Sequence, residues 1–127
     1  MNTSRQGLIL FAHGARDAAW AGPFEAVAAT VRARQPALEL RLAYLEFMSP
    51  DLARAGTELA DAGCTRVQVL PLFLGTGGHL KRDLPPMIES LRLAHPQLTW
   101  SLLPAVGEQV RVVQAMAEVA LQAVSAA

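Results

Sequence analysis

The sequence predicts an α/β protein with a four-stranded parallel sheet as the middle of three layers. Three observations carry that expectation. Short Val-, Leu- and Ile-rich runs alternate four times with longer segments whose apolar residues recur at helical spacing, and such alternation feeds parallel strands through right-handed helical crossovers. The chain has 127 residues, 52% of them hydrophobic, which suits one core and the length of one domain. No linker, charge run or low-complexity tract interrupts it, so residues 1–127 read as a single domain.

The elements follow in order. "GLILFAH" (7–13) is a short apolar run bounded by a glycine, a buried strand. "DAAWAGPFEAVAATVRARQ" (17–35) places Phe24, Val27, Ala28 and Val31 on one helical face, and Pro36 stops it. "LELRLAYLEF" (38–47) alternates, with Leu38, Leu40 and Leu42 on one side of a strand. "SPDLARAGTELADAG" (49–63) reads as a helix with Ser49 as N-cap, Pro50 in its first turn and Gly63 at its end. "RVQVLPLFL" (66–74) is a third strand, "GTGGHLKRD" (75–83) a glycine-rich loop, and "LPPMIESLRLAH" (84–95) a helix begun by prolines. "LTWSLLP" (98–104) is the last strand and "GEQVRVVQAMAEVALQAV" (107–124) an amphipathic helix. Met87 and Met116 read as core, Trp20 and Phe24 as core ahead of the alternative that they cover a flat ligand, and His95 as a helix-end residue near the negative pole of the dipole.

Composition excludes several classes. Eleven basic and eleven acidic residues leave no net charge, hence no footprint for nucleic acid and no polybasic membrane patch. No apolar run reaches the ~18 residues of a membrane span, and "MNTSRQG" lacks an apolar leader segment. The single cysteine, Cys64, allows no internal disulfide and no CxxC motif; it reads as a buried thiol at a helix end. A cytoplasmic location is the expectation. No P-loop (GxxxxGK[ST]) and no GxSxG elbow occurs, and Ala12 stands where a phosphohistidine RHG motif needs arginine.

Ligands of open α/β sheets bind beyond the carboxyl ends of the strands. The chemistry-bearing residues there are His13 after the first strand, Glu46 at the end of the second and His79 after the third, at equal intervals of 33 residues. That interval, about one βα unit, predicts that all three reach one edge of the sheet. Two imidazoles and a carboxylate suit a divalent first-row metal and leave coordination positions open. Taken singly, His13 reads equally as a strand-end histidine bonded to backbone, Glu46 as a carboxylate at a helix entry, and His79 as a solvated loop residue. Gly75, Gly77 and Gly78 beside it would let backbone approach a ligand closely. Arg16, Lys81 and Arg82 would place positive charge at the mouth.

"FAHGARD", "LAYLEFMSPDL" and "VLPLFLGTGGHLKRDLP", in that order over nearly the whole chain, resemble the small CbiX/SirB sirohydrochlorin chelatases of the class II chelatase group. The family more often has Gly-His-Gly-Ser-Arg at the first motif, where this chain has Ala12 and Ala15 in place of the Gly and Ser. The resemblance implies a chelatase-like αβα fold as one half-sized domain. It implies insertion of Co2+ or Fe2+ into sirohydrochlorin, towards cobalamin or sirohaem, with no cofactor beyond the substrate metal. It implies a homodimer, since larger relatives hold two such halves. By the same resemblance His13, Glu46 and His79 are catalytic, His13 and His79 hold the metal, and His13 is also the proton acceptor. Glu46 with Leu74, Gly75, Thr76, Gly77, Gly78 and His79 contacts substrate. A protein that binds and delivers metal or tetrapyrrole without turnover would keep both histidines and need no base at Glu46, and an inactive subunit paired with a different half is a third reading.

Overall fold

Burial alternates along the strands as a sheet covered by helices requires. In Arg66–Pro71 (β3), Val67, Val69 and Pro71 are buried and the residues between them are not. In Gln6–Ala12 (β1) the last four residues are all buried, the mark of a central strand covered on both faces. The computed structural model describes residues 5–75 and 77–125. With Glu39–Tyr44 (β2) and Thr99–Leu102 (β4), these strands form one parallel sheet in the order β2-β1-β3-β4. The register places Ile9 between Arg41 and Val69, and Val69 beside Leu102.

The order of strands decides which helix covers which face. The chain runs from β1 to the β2 edge through Gly22–Arg34 (α1), then back across β1 to β3 through Leu52–Asp61 (α2), then outward to β4 through Gly78–Ala94 (α3). Right-handed crossovers put α1 on one face and α2 with α3 on the other. The packing agrees. Leu10, Leu40 and Ala28 of α1 form one cluster with Leu8, Val31, Leu42 and Leu70. The larger core joins Ile9, Phe11, Val67, Val69 and Trp100 to Leu59 of α2 and Leu84, Ile88 and Leu91 of α3. This is the expected three-layer αβα arrangement.

Element boundaries depart from the sequence expectation in four places. The first helix is split, a 3-10 turn at Ala18–Ala21 preceding α1, because Asp17 caps the turn by accepting from the Ala19 N–H. Helix α2 is capped by Asp51, not Ser49: its carboxylate accepts from the Arg54 N–H at 2.8 Å. Pro50 stays outside the helix because its carbonyl accepts from the Tyr44 N–H, and the Ser49–Pro50 peptide is cis. Helix α3 starts at Gly78 instead of at the prolines, so Gly78 and His79 are helical and Pro85 and Pro86 lie inside it. Leu84, Ile88 and Leu91 are buried; at about 1.5–3 kcal/mol each they offset the roughly 3 kcal/mol that each of the two interior prolines costs. The last helix, Val110–Ser125 (α4), follows a 3-10 turn at Val106–Glu108 and buries none of its residues. Met116 is therefore not core but 45% exposed, and Val27 on α1 also faces solvent. Trp20 and Phe24 are half-buried, their rings in tilted contact with centroids 4.7 Å apart. Cys64 is buried as expected, and His95 caps the C-terminal end of α3.

Candidate active site

Two loops at the carboxyl edge of the sheet interlock through their backbones. Beyond β1 and β2 the ladder continues for two bonds: the Leu45 N–H donates to the Ala12 carbonyl at 2.9 Å and the Glu46 N–H to the His13 carbonyl at 3.1 Å. Gly14 makes this approach possible. Its φ is +90°, and a Cβ there would stand 1.9 Å from the Glu46 carbonyl oxygen. Only glycine meets both conditions. The chain then turns back sharply at Phe47, a non-glycine residue at φ +67°, with the Met48 N–H returning to the Glu46 carbonyl at 2.8 Å. A bulky residue in the left-handed region is strained, and such strain collects at functional sites.

The interlock sets two side chains face to face. His13 Nε2 lies 3.1 Å from Glu46 Oε1, both side chains about half exposed (49% and 48%). An ionised carboxylate only accepts, so with a neutral ring Nε2 donates to Glu46 and Nδ1 keeps the free lone pair. The imidazole also meets the edge of the Phe73 ring at 6.1 Å, and Phe73 in turn packs on Phe11 at 5.9 Å. His13 thus stands on the roof of the core, fixed from one side by an aromatic ring and from another by a carboxylate. Tyr44, at the end of β2, is buried with Ala12 and Ala21 on the α1 side of the sheet. Burial holds its phenol above the ordinary value, and Glu25 adds to the effect.

His79 reaches the same edge from another direction, as the second residue of α3 after the N-cap Gly77. Among the described residues, no three His, Cys, Asp or Glu side chains are grouped closely enough to hold a metal ion; the pair that is formed is His13 with Glu46. The α3 start carries no side-chain cap, so its first backbone N–H groups and the positive pole of the dipole are open to an anion. Lys81 and Arg82 lie in the same turn, Lys81 paired at 3.8 Å with Glu108. Arg16 sits over the Phe47 ring at 4.8 Å, a cation–π contact that places a guanidinium beside the His13–Glu46 pair.

The glycine-rich segment is exposed. Leu74 is 65% accessible, and an added Cβ at Gly75, Gly77 or Gly78 would meet nothing within 4 Å, with no positive φ at any of them. The fold itself does not require glycine at these positions. Thr76 lies outside the described residues. Leu74 is held from below: the Gly107 N–H donates to the Phe73 carbonyl at 3.0 Å, and a Cβ on Gly107 would fall 1.5 Å from the Leu74 carbonyl oxygen. A groove of about 750 Å³ opens beside Glu46, lined by residues 45–51 with Arg54 and Glu58. Sequence reasoning did not find Phe47, Phe73 or Gly107 as site-shaping residues. Gly107 carried a signal, a lone glycine between a strand and a helix, whereas Phe47 and Phe73 are marked only by their backbone angle and their neighbours.

Comparison with known proteins agrees with this architecture. The CbiX family model matches residues 7–123. A sirohydrochlorin cobaltochelatase of Sulfurisphaera tokodaii is 29% identical over 86 residues, 68% of this chain and 70% of that protein. One from Methanococcus maripaludis is 30% identical over 83 residues, 65% of this chain and 58% of that protein. Among solved structures, the CbiX protein of Marinobacter aquaeolei, assigned to cobalamin (vitamin B12) biosynthesis, superposes with a TM-score of 0.84 at 31% identity, covering 96% of this chain and 99% of that one. The sirohydrochlorin chelatase SirB of Bacillus subtilis subspecies spizizenii, in complex with cobalt, gives 0.76 at 25% identity and covers 87% of this chain but 47% of that one, so this chain spans about half of SirB. With the family model matched along almost the entire length, the chain belongs to the CbiX family.

Proposed function

We propose that the protein is a sirohydrochlorin chelatase that inserts Co2+ or Fe2+ into sirohydrochlorin, in the service of cobalamin or sirohaem formation. The observation that carries this reading is the His13–Glu46 pair, held at 3.1 Å on the carboxyl edge of the sheet. Metallation exchanges one divalent cation for two pyrrole N–H protons, so a site must hold the metal, then take up and release two protons. Imidazole does both tasks. With Nε2 turned to Glu46, Nδ1 of His13 is the atom left for metal or for the first proton. A carboxylate on the far ring nitrogen fixes the tautomer and the orientation of the ring. Glu46 takes the second proton, or balances the metal's charge, and half exposure gives the protons a way out to water. His79 completes the set of metal-holding residues on substrate approach.

The substrate is a flat macrocycle with acidic arms. Arg16, Lys81, Arg82 and the open N–H groups at the start of α3 are its partners for carboxylates. Leu74, Gly75, Gly77 and Gly78 form the apposed surface; glycines that the fold does not need are explained by a ligand lying flat against the backbone. Residues 1–127 act as one domain. A single edge with three short loops is too open to bury most of such a ligand, so the working unit is a homodimer whose two edges share the cavity. On this reading the protein works in the cytoplasm, without nucleic acid, membrane or a cofactor beyond the substrate metal. No helix among the described residues is long and apolar enough to cross a membrane.

The test is an anaerobic absorbance assay with sirohydrochlorin and Co2+ or Fe2+, with and without protein. Chelatase activity appears as metallation faster than the spontaneous rate. Tight binding of metal and tetrapyrrole with no acceleration would instead assign a delivery protein.

A further inference from the structure

Phe47 occupies a position that its own backbone disfavours. The Met48 N–H closes onto the Glu46 carbonyl at 2.8 Å across this one residue, whose φ is +67°, a γ-turn of the rare and strained kind. Glycine would adopt that angle at no steric cost; a bulky side chain there is an outlier. Core packing does not account for the ring. Phe47 is 57% exposed and, among the described residues, joins none of the buried clusters. The contact its ring makes is with Arg16, whose guanidinium carbon stands 4.8 Å from the ring centroid.

Arg16 keeps its charge uncancelled. Among the described residues Arg5, Arg41, Arg54 and Arg92 each pair with a glutamate, whereas Arg16 pairs with no carboxylate. The two acids nearest to the contact in sequence are committed elsewhere. Asp17 accepts from the Ala19 N–H, and Glu46 faces His13 at 3.1 Å. A carboxylate would hold a guanidinium by cancelling its charge. A π face holds it and leaves the charge in place, and with it the N–H fork that matches a carboxylate in two parallel bonds. The position suits a receptor for an anion. Arg16 follows Gly14 by two residues and Phe47 follows Glu46 by one, so the contact spans the same two loops whose backbones interlock. Phe47 also lines the groove of about 750 Å³ beside Glu46.

We infer that Phe47 is a positioning residue, which holds Arg16 with its charge uncancelled to receive one acidic arm of the tetrapyrrole beside the His13–Glu46 pair. A free arginine side chain loses rotamer freedom when it captures a carboxylate. One already seated on a ring has lost that freedom beforehand, so more of the pairing energy appears as affinity. The strained turn at Phe47 aims the ring across the boundary between the two loops, and the strain has its use there. The inference rests on the chelatase reading in taking the tetrapyrrole as ligand, and it concerns binding, not the metallation step.

A double-mutant cycle on the full chain tests it, read as the dissociation constant for metal-free sirohydrochlorin in an anaerobic absorbance titration. Arg16→Gln should weaken binding by about tenfold or more, the loss of a charged bond. Phe47→Leu keeps an apolar side chain and removes the π face; it should weaken binding by about threefold or more. In the Arg16→Gln background, Phe47→Leu should add nothing. Phe47→Tyr, which keeps the π face, should restore the parental affinity. In the metallation assay the losses should fall on KM more than on kcat. Additive losses in the double variant, or a Phe47→Leu protein of parental affinity, overturn the inference. So does a Phe47→Leu loss confined to kcat, which would tie the ring to Glu46 instead. A parent protein that binds sirohydrochlorin without metallating it removes the chelatase reading, while the cycle still decides this inference; a parent that does not bind it removes both.

Discussion

Replacing Gly14 by alanine tests the idea that the site is built by backbone interlock. The new Cβ would lie 1.9 Å from the Glu46 carbonyl oxygen, where ordinary contact begins at 3.4 Å. One loop must therefore retreat by about 1.5 Å from the other. That displacement breaks the Glu46 N–H bond to the His13 carbonyl, a loss of about 0.5–1.5 kcal/mol, and leaves alanine at a positive φ that costs a further ~1–2 kcal/mol. The expected destabilisation is about 2–3 kcal/mol, read as a lower urea midpoint with unchanged slope. The effect on turnover is larger in proportion, because His13 and Glu46 sit on the two loops that part. A misplacement of ~1 Å costs about 100-fold in rate. The anaerobic metallation assay reads the second quantity. Gly78→Ala is the contrast for stability: nothing lies within 4 Å of its added Cβ and the position is helical, so it should hold or raise the urea midpoint, by up to ~1 kcal/mol. A Gly14→Ala protein with wild-type midpoint and wild-type turnover would refute the interlock.

His13→Ala and His79→Ala should each abolish metal insertion, with thermal unfolding within about 0.5 kcal/mol of the parent, since both side chains are surface-exposed; wild-type turnover in either variant removes that residue from the mechanism. Glu46→Gln should lower turnover more than metal affinity, because the amide keeps the shape and an oxygen but cannot take a proton; equal losses by kinetics and titration calorimetry would make Glu46 chiefly a ligand. Stability should be insensitive to Cys64 and Tyr44 below about pH 8 and fall in alkali. Burial, first, and then Glu39 hold the Cys64 thiol above its ordinary value of 9.0 against the opposing Arg5 and Arg41; burial and Glu25 hold the Tyr44 phenol above 10.0. The folded state thus keeps protons that the unfolded state releases, so their contribution is complete below the unfolded values and is lost as pH rises through the folded ones. Urea midpoints measured from pH 7 to 10.5 check the sign, and a midpoint that rises above pH 9 contradicts it.

Much of this protein is legible in its sequence because the physics involved is local or periodic. Alternating apolar periods of two and 3.6 mark strands and helices. A βα repeat of nearly constant length carries His13, Glu46 and the start of the His79 segment to one edge of a parallel sheet. Helix ends were less legible. Asp51 displaced Ser49 as a cap because Tyr44 claims the Pro50 carbonyl, and α3 ran back through two prolines to Gly78 because burial of Leu84, Ile88 and Leu91 in the core offsets what the prolines cost. Both outcomes depend on partners distant in the chain. The Gly14–Glu46 contact, the reversed backbone at Phe47 and the Phe73 support beneath His13 likewise exist only once three strands stand side by side. An amphipathic last helix was visible from its pattern, but a pattern reports which face seeks burial and not what covers it. Only the tertiary structure shows that α4 leaves its apolar residues exposed, because burial depends on which surfaces the other elements bring within its reach.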